Sequence, residues 1–314
     1  METTMSGVDE RGPLAPQESL GEPAGRRTFE LPAGVLRRDG QACRRVHVRA
    51  LTGADEECLF ERGDDAGSPS ARVSAFLARA IDAIDGYDGP IDVHLVAGMQ
   101  VGDRDYLLLR LRQVEHGDAV HQVMRCPACR QKVDVDFAIS ELPVRRLTSP
   151  APAFSIELGG MPAQVRLPTG ADQQAVEAIA LRNPSAANTL LFSRVVLQLD
   201  GRTPTEAEAR TWPPALRAEL AAWLEARAPG PDLFLDLACP HCNSDMSYTF
   251  DLPAFFFAEQ LSGLERLMEE IHILALHYHW SEAAILAMPA PKRQRYLALL
   301  ARYVAQGASA ELQP

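Results

Sequence analysis

The sequence predicts an α+β fold made of two diverged tandem copies of one unit, sharing a four-cysteine zinc site and followed by a helical C-terminal tail. Three observations lead there. Segments recur in the same order along the chain. Each recurrent unit ends in a Cys-Pro-x-Cys turn set between strand-like alternations. The residues beyond the second turn carry helical periodicity only.

The repeat opens each copy. Val48-Arg49-Ala50-Leu51-Thr52-Gly53-Ala54-Asp55 returns as Val165-Arg166-Leu167-Pro168-Thr169-Gly170-Ala171-Asp172. Arg79 and Asp85-Gly86 answer to Arg194 and Asp200-Gly201, and Cys126-Pro127-Ala128-Cys129 answers to Cys239-Pro240-His241-Cys242. The offset between partners drifts only from 117 to 113 residues, as small deletions in loops would produce.

Taken in order, residues 29–49 and 154–166 read as an opening strand or hairpin in each copy. Val73, Phe76, Leu77, Ala80, Ile81 and Ile84 follow helical spacing. Gly102-Asp103 reads as a turn with an N-cap aspartate, and 104–112 as the helix it starts. Its second-copy equivalent is 214–227, with Leu216, Leu220, Trp223 and Leu224 on one face. Stretches 61–70 and 201–213 are rich in turn formers and read as loops. Period-two alternation marks strands at 119–125, at Val133, Val135, Phe137 and Ile139, at Leu233, Leu235 and Leu237, and at Met246, Tyr248, Phe250 and Leu252. In the tail, 260–280 reads as one long helix buried along Leu264, Leu267, Ile271, Leu274, Ala275 and Tyr278. Ser281 caps a short helix, and Pro291 opens a last one that runs to about Val304. The division is a disordered leader over 1–27, a first repeat over 28–147, a second over 152–258, a helical extension over 259–306 and a disordered tail over 307–314.

The composition bounds the function. The chain of 314 residues is 46% hydrophobic and 23% charged, with a net charge of −11. That balance suits a globular protein and disfavours a nucleic-acid partner, whose phosphates need a concentrated basic face. Only Lys292, Arg293 and Arg295 cluster, and they read as a solvated helix end. No window approaches the ~18 consecutive apolar residues of a membrane span. Residues 1–27 show no apolar stretch leading to a cleavage site, so the cysteines are expected to stay reduced in the cytoplasm.

Cys126, Cys129, Cys239 and Cys242 are the expected metal ligands. A two-residue gap lets one tight turn direct two thiolates at one ion, and two such turns complete a tetrahedron. Zinc is the expected ion, in a structural role; iron takes the same ligands, and the residues do not choose between them. The Cys-Pro-His-Cys sequence also occurs in thiol oxidoreductases, but that chemistry wants the first sulfur at a helix N-terminus. Here a strand follows. Cys43 and Cys58 have no counterparts in the second copy and read as buried thiols.

No catalytic site emerges, and the chain is expected not to be an enzyme. His272 and His279 lie about 10.5 Å apart along their helix at the usual rise, too far to share a metal, and His277 faces elsewhere. The run Asp103, Arg104, Asp105, Arg110 and Arg112 reads as a solvated helix face, with a partner-facing surface as the alternative.

Several stretches together resemble the baseplate hub assembly chaperone family of T-even-type contractile phages and related contractile injection systems. They are Leu31-Pro32-Ala33-Gly34, VRALTGADEE from Val48, GDRDYLLLRLR from Gly102, the Cys126–Cys129 turn, and HYHWSEAAILAMPAPKRQRYLALL from His277. The chain is longer than the small single-copy phage members. The resemblance implies a non-catalytic cytoplasmic assembly factor that helps hub and spike components come together before sheath and tube polymerise, and that need not stay in the finished particle. The alternatives from the residues are a thiol-disulfide oxidoreductase using Cys239 and Cys242, and a zinc-ribbon interaction adaptor.

Overall fold

The computed structural model describes residues 26–61 and 68–310. The expected leader up to residue 25, the centre of the expected loop at 62–67 and the tail from 311 lie outside them. The chain begins with β1 (Arg26–Leu36), β2 (Ala42–Arg49), α1 (Gly53–Glu61), α2 (Pro69–Ala80), β3 (Ile81–Ile84), α3 (Val93–Gly98) and α4 (Val101–His116). Two paired strands follow, β4 (Ala119–Arg125) and β5 (Lys132–Ala138), then β6 (Val144–Arg145). The next stretch is β7 (Phe154–Leu158), β8 (Met161–Val165), α5 (Gly170–Ala180), α6 (Pro184–Val195), β9 (Val196–Leu199), α7 (Glu206–Arg210) and α8 (Pro214–Arg227). After β10 (Gly230–Pro231) come β11 (Phe234–Ala238) and β12 (Asp245–Thr249), and then α9 (Leu252–Tyr278), α10 (Glu282–Leu286) and α11 (Ala290–Ala310).

The fold is a mixture of helices and small antiparallel sheets. Strands β1-β2-β3 form one three-stranded sheet and β7-β8-β9 another, each with its second strand in the middle. Behind the middle strand of each sheet sits the same ion cluster. Asp55 is 4% exposed and takes both Nη atoms of Arg49 at 2.6 and 2.8 Å, Arg79 Nε at 3.2 Å, and the amide and hydroxyl of Thr52. Asp172 is fully buried and takes Arg166 at 2.5 and 2.9 Å, Arg194 Nε at 2.7 Å, and the amide and hydroxyl of Thr169. In both clusters the bidentate arginine closes a strand, the aspartate caps the following helix through its threonine, and the second arginine comes from the helix before the third strand.

Helix α4 carries three buried charged residues, Asp103, Arg104 and Arg112. Asp103 accepts the Ala33 and Gly34 amides at 2.7 and 2.9 Å, where the register of β1 shifts against β2. Gly34 has φ +90°, and a Cβ there would lie 2.9 Å from the Cys43 carbonyl oxygen, so this bulge needs glycine. Arg104 reaches Ser70 O and Ser74 Oγ on α2 and Gln173 Oε1 on α5. Arg112 donates to Glu259 on α9 and to the carbonyls of Gly117 and Ala119.

Two large apolar clusters form the core. One lies among the first sheet, α2 and α4, and takes in Phe250, Leu252, Phe256 and Phe257 from the far end of the chain. The other joins β7, β8 and β9 to α6 and α8. A smaller cluster packs α9 against α10 and α11.

Several expectations change. The helix over Val73–Ala80 stops one turn early, because Ile81 and Ile84 pair with Val48 and Val46 as β3. Asp103 is not an N-cap: α4 starts at Val101, and the carboxylate turns to the β1 bulge instead. The loop at 201–213 contains α7, nucleated by a Thr205–Glu208 capping box. The long tail helix starts at Leu252 rather than 260, capped by Asp251 with Pro253 in its first turn, so Leu252 is helical. Asp103, Arg104 and Arg112 of the charged run are not a solvated or partner-facing surface, being 0%, 1% and 5% exposed, while Asp105 and Arg110 are half-buried. Arg293 is no solvated helix end either: it is 1% exposed and held by Glu56 and Glu270.

The two aspartate clusters set an acid limit on stability. Burial alone would raise the Asp55 carboxyl, but the hydrogen bonds from Arg49 and Thr52 outweigh it and hold it at about 2. Asp172 is held lower still, by Arg166, Thr169 and Arg194 against its burial. Both folded values lie below the unfolded value of about 3.9, so their stabilisation is complete above that pH and lost as pH falls from about 4 towards 2. Denaturant titrations across this range should show stability falling with acid. Asp55→Asn or Asp172→Asn should cost about 2 kcal/mol or more at pH 7 and flatten the slope between pH 4 and 2.

Candidate metal centre

Each cysteine pair sits in the turn of a two-stranded hairpin, Cys126 and Cys129 between β4 and β5, Cys239 and Cys242 between β11 and β12. The two turns share one hydrogen-bond pattern. Cys126 N donates to Gln131 O and Arg130 N to Cys126 O; Cys239 N donates to Ser244 O and Asn243 N to Cys239 O. The residue after each second cysteine, Arg130 or Asn243, is left-handed, with φ of 61° and 56°. That conformation folds the chain back so that both sulfurs of a turn point the same way.

Alternation then brings the turns together. Met124, Val133 and Val135 on one hairpin and Met246 on the other form a buried cluster with Cys126 and Cys239, and Leu235, Leu237 and Tyr248 pack against it. The outward positions Asp134, Asp136, Asp236 and Ser247 are polar and exposed. The apolar faces meet and the four sulfurs converge within 4.8 Å of one another. Cys126 Sγ lies 3.7 Å from Cys242 Sγ, and Cys129 Sγ lies 3.7 Å from Cys239 Sγ.

Those distances are too long for a disulfide, whose S–S bond is about 2.05 Å. They match the edge of a tetrahedron of sulfurs about 2.3 Å from a central ion, which is about 3.8 Å. The donor set therefore fits one tetrahedral, thiophilic cation. The protonation balance points the same way. The Ser244 hydroxyl and amide pull Cys242 down to about 6. The Gln131 amide favours the Cys129 thiolate, yet burial and the other three sulfurs push that thiol up to about 12. Four thiolates so close cannot all ionise unless a cation balances them.

The histidine in the second turn stays outside the cluster, with His241 Nε2 3.1 Å from Lys132 O. Neither Cys126 nor Cys239 begins a helix, so the setting that activates an oxidoreductase thiol is missing at both turns. Cys43 is buried as expected, with its thiol pushed up by burial. The Cys58 side chain lies outside the described residues. His272, His277 and His279 are exposed and do not converge, and His279 is the left-handed C-cap of α9.

A cavity of about 410 Å³ lies away from the sulfurs, lined by Arg27, Glu56, Arg266, Glu270 and Arg293 among others. Arg293 there already satisfies Glu56 and Glu270. What the sequence did not reveal is the pair of left-handed residues. Asn243 is a residue type that tolerates that backbone, but Arg130 is not, and only its equivalent position signals it.

The molecule is thus a helix-and-antiparallel-sheet protein with four cysteines gathered at a possible metal site. No helix among the described residues is long and apolar enough to cross a membrane. The model of the T4 bacteriophage base plate protein family matches residues 45–258, more than half of the chain, and the chain belongs to that family. The matched span contains both aspartate clusters and all four cysteines. No curated protein and no solved structure matches the chain.

Proposed function

We propose that the protein is a non-catalytic assembly factor for the baseplate hub of a contractile phage tail or injection system, held together by one structural zinc ion on Cys126, Cys129, Cys239 and Cys242. The family match over residues 45–258 carries the first half of this reading. The tetrahedral spacing of the four sulfurs carries the second. Hub or spike proteins are the proposed partners.

The chain is read further as an internal duplication, with units over 28–147 and 152–258. Three matched features support it: sheets with the same strand order, aspartate clusters with the same partners, and turns with the same hydrogen bonds. Zinc would then join the matching ends of the two copies. Both ligand pairs come from two-stranded hairpins, which are marginal structures alone, so an ion linking them stabilises both.

Elemental analysis of purified protein should find one zinc per chain, with four thiols protected from a thiol reagent until a chelator is added. Cys239→Ser should lower the melting temperature by roughly 10 °C. Hydrogen exchange should then quicken first in the two hairpins and only later in either sheet. A zinc-free protein of undiminished stability would falsify the metal reading.

The assembly role has its own test. Deleting the gene should leave few or no assembled baseplates, and mass spectrometry of purified particles would separate a transient factor from a retained part. Normal particles from the deletion strain would sink the role while leaving the zinc site untouched.

A further inference from the structure

Six of the thirteen exposed large hydrophobic side chains among the described residues sit on two helices of the C-terminal segment: Met268, Ile273 and Leu276 on α9, and Leu299, Tyr303 and Val304 on α11. On α9 the exposed positions Glu265, Met268, Glu269, His272, Ile273 and Leu276 follow i, i+3, i+4, i+7, i+8, i+11, so they form one continuous face. Its opposite face, with Leu267, Ile271 and Leu274, is buried. The outer face of α9 therefore carries Met268, Ile273 and Leu276 beside two carboxylates and His272.

Helix α11 presents the complement. Its first turns are fixed to the body: Arg293 donates to Glu270 at 2.8 Å, and Tyr296 packs on Tyr278 and Trp280 at the end of α9. From Ala301 to Ala305 every residue is exposed. Leu299, Leu300, Tyr303 and Val304 fall on adjoining positions of this part of the helix, flanked by Arg295 and Arg302. Between Ala290 and Ala310 there is no acidic residue, in a chain whose net charge is −11. The result is an apolar stripe edged with arginine.

Within one molecule the start of α11 packs on the buried side of α9, where Arg293 meets Glu270 and Tyr296 meets Tyr278 and Trp280, while the distal residues 301–305 stay exposed. We propose that this chain self-associates, with the distal half of α11 lying on the Glu265–Met268–Glu269–Ile273–Leu276 face of α9 in a second copy. The contact is reciprocal, so one twofold axis makes it twice and closes the assembly as a dimer. Arg295 and Arg302 would face the two glutamates across the apolar centre, giving the pairing its direction. This segment lies beyond the span matched by the baseplate family, and the inference does not depend on the metal site.

The test uses the full-length protein in analytical ultracentrifugation over a concentration series. A reversible dimer is expected. Leu276→Glu and Tyr303→Glu should each raise its dissociation constant ~10-fold or more with unchanged circular dichroism and melting temperature, since both positions are exposed. Glu269→Arg and Arg302→Glu should each weaken self-association, and mixing those two proteins should restore a dimer between them. A monomer at every concentration would overturn the proposal, as would a dimer indifferent to all four substitutions. So would a monomer that binds anionic phosphatidylglycerol vesicles and loses that binding on Tyr303→Glu, which would assign the basic amphipathic helix to a lipid surface.

Discussion

A buried helix carrying charges constrains everything packed around it, and α4 imposes that constraint here. An ion removed from water without partners costs several kcal/mol, so Asp103, Arg104 and Arg112 can be enclosed only where each is met by hydrogen bonds. Their partners come from five other elements: the β1 bulge, α2, α5, β4 and α9. Burial pushes Asp103 up to about 6, while the two β1 amides pull the other way. Arg104 has no carboxylate within ion-pairing distance among the described residues, and its charge is answered by a carbonyl, a hydroxyl and an amide oxygen. Such partners are directional, so α4 fixes where β1, α2 and α5 lie and not merely that they are close. Gly102 lets a further segment close on α4, because a Cβ there would fall 1.7 Å from the Pro229 carbonyl oxygen just before β10.

The cysteine turns connect to this centre through aromatic packing. Phe137, at the end of β5, meets Phe250, just beyond β12, edge to face at 5.4 Å. Phe256, on the first turns of α9, meets Phe76 of α2 at 5.0 Å. The strand leaving the second turn therefore runs directly into the core of the first sheet and then into α9. Phe250 thus packs the second cysteine hairpin into that core, and α9 continues from it to the C-terminal helices. The two aspartate clusters are more local. Each ties a strand end, a helix start and the following helix to one carboxylate within one sheet unit.

Much of this was legible in the sequence, and the residues explain where legibility stopped. Period-two alternation located both hairpins, because one face of each is buried and the other solvated, and the cysteine spacing marked their turns. The pairing of Asp55 with Asp172 was visible as a repeated segment, but the arginines that hold each of them were not visible as a cluster. Arg79 and Arg194 lie 24 and 22 residues after their aspartates and meet them only once a helix and a strand have formed. Charge patterning misled twice. Asp103, Arg104, Arg112 and Arg293 look solvated because isolated charges usually are; their burial depends on Ala33, Ser74, Glu259, Glu56 and Glu270, which are remote in sequence. The helix at 73–84 was overextended for the opposite reason: Ile81 and Ile84 fit its apolar face, and only pairing with β2 makes them a strand.

The placement of the sulfur cluster follows from what the hairpins lack. Only Met124, Val133, Val135 and Met246, beside two cysteines, are buried between them, a small core compared with those under either sheet. Two-stranded hairpins gain too little from so few side chains to hold a fixed arrangement, and exposed apolar positions such as Val123 and Phe234 add nothing to it. On the proposed reading a tetrahedral cation would supply what packing does not. It would attach both turns at one point and let the four crowded thiols ionise together. It would also join residues more than a hundred positions apart in the chain. The more weakly packed an element is, the more its position would depend on such a linkage, and the hairpins that present the ligands share only the small cluster between them and an edge of the first core.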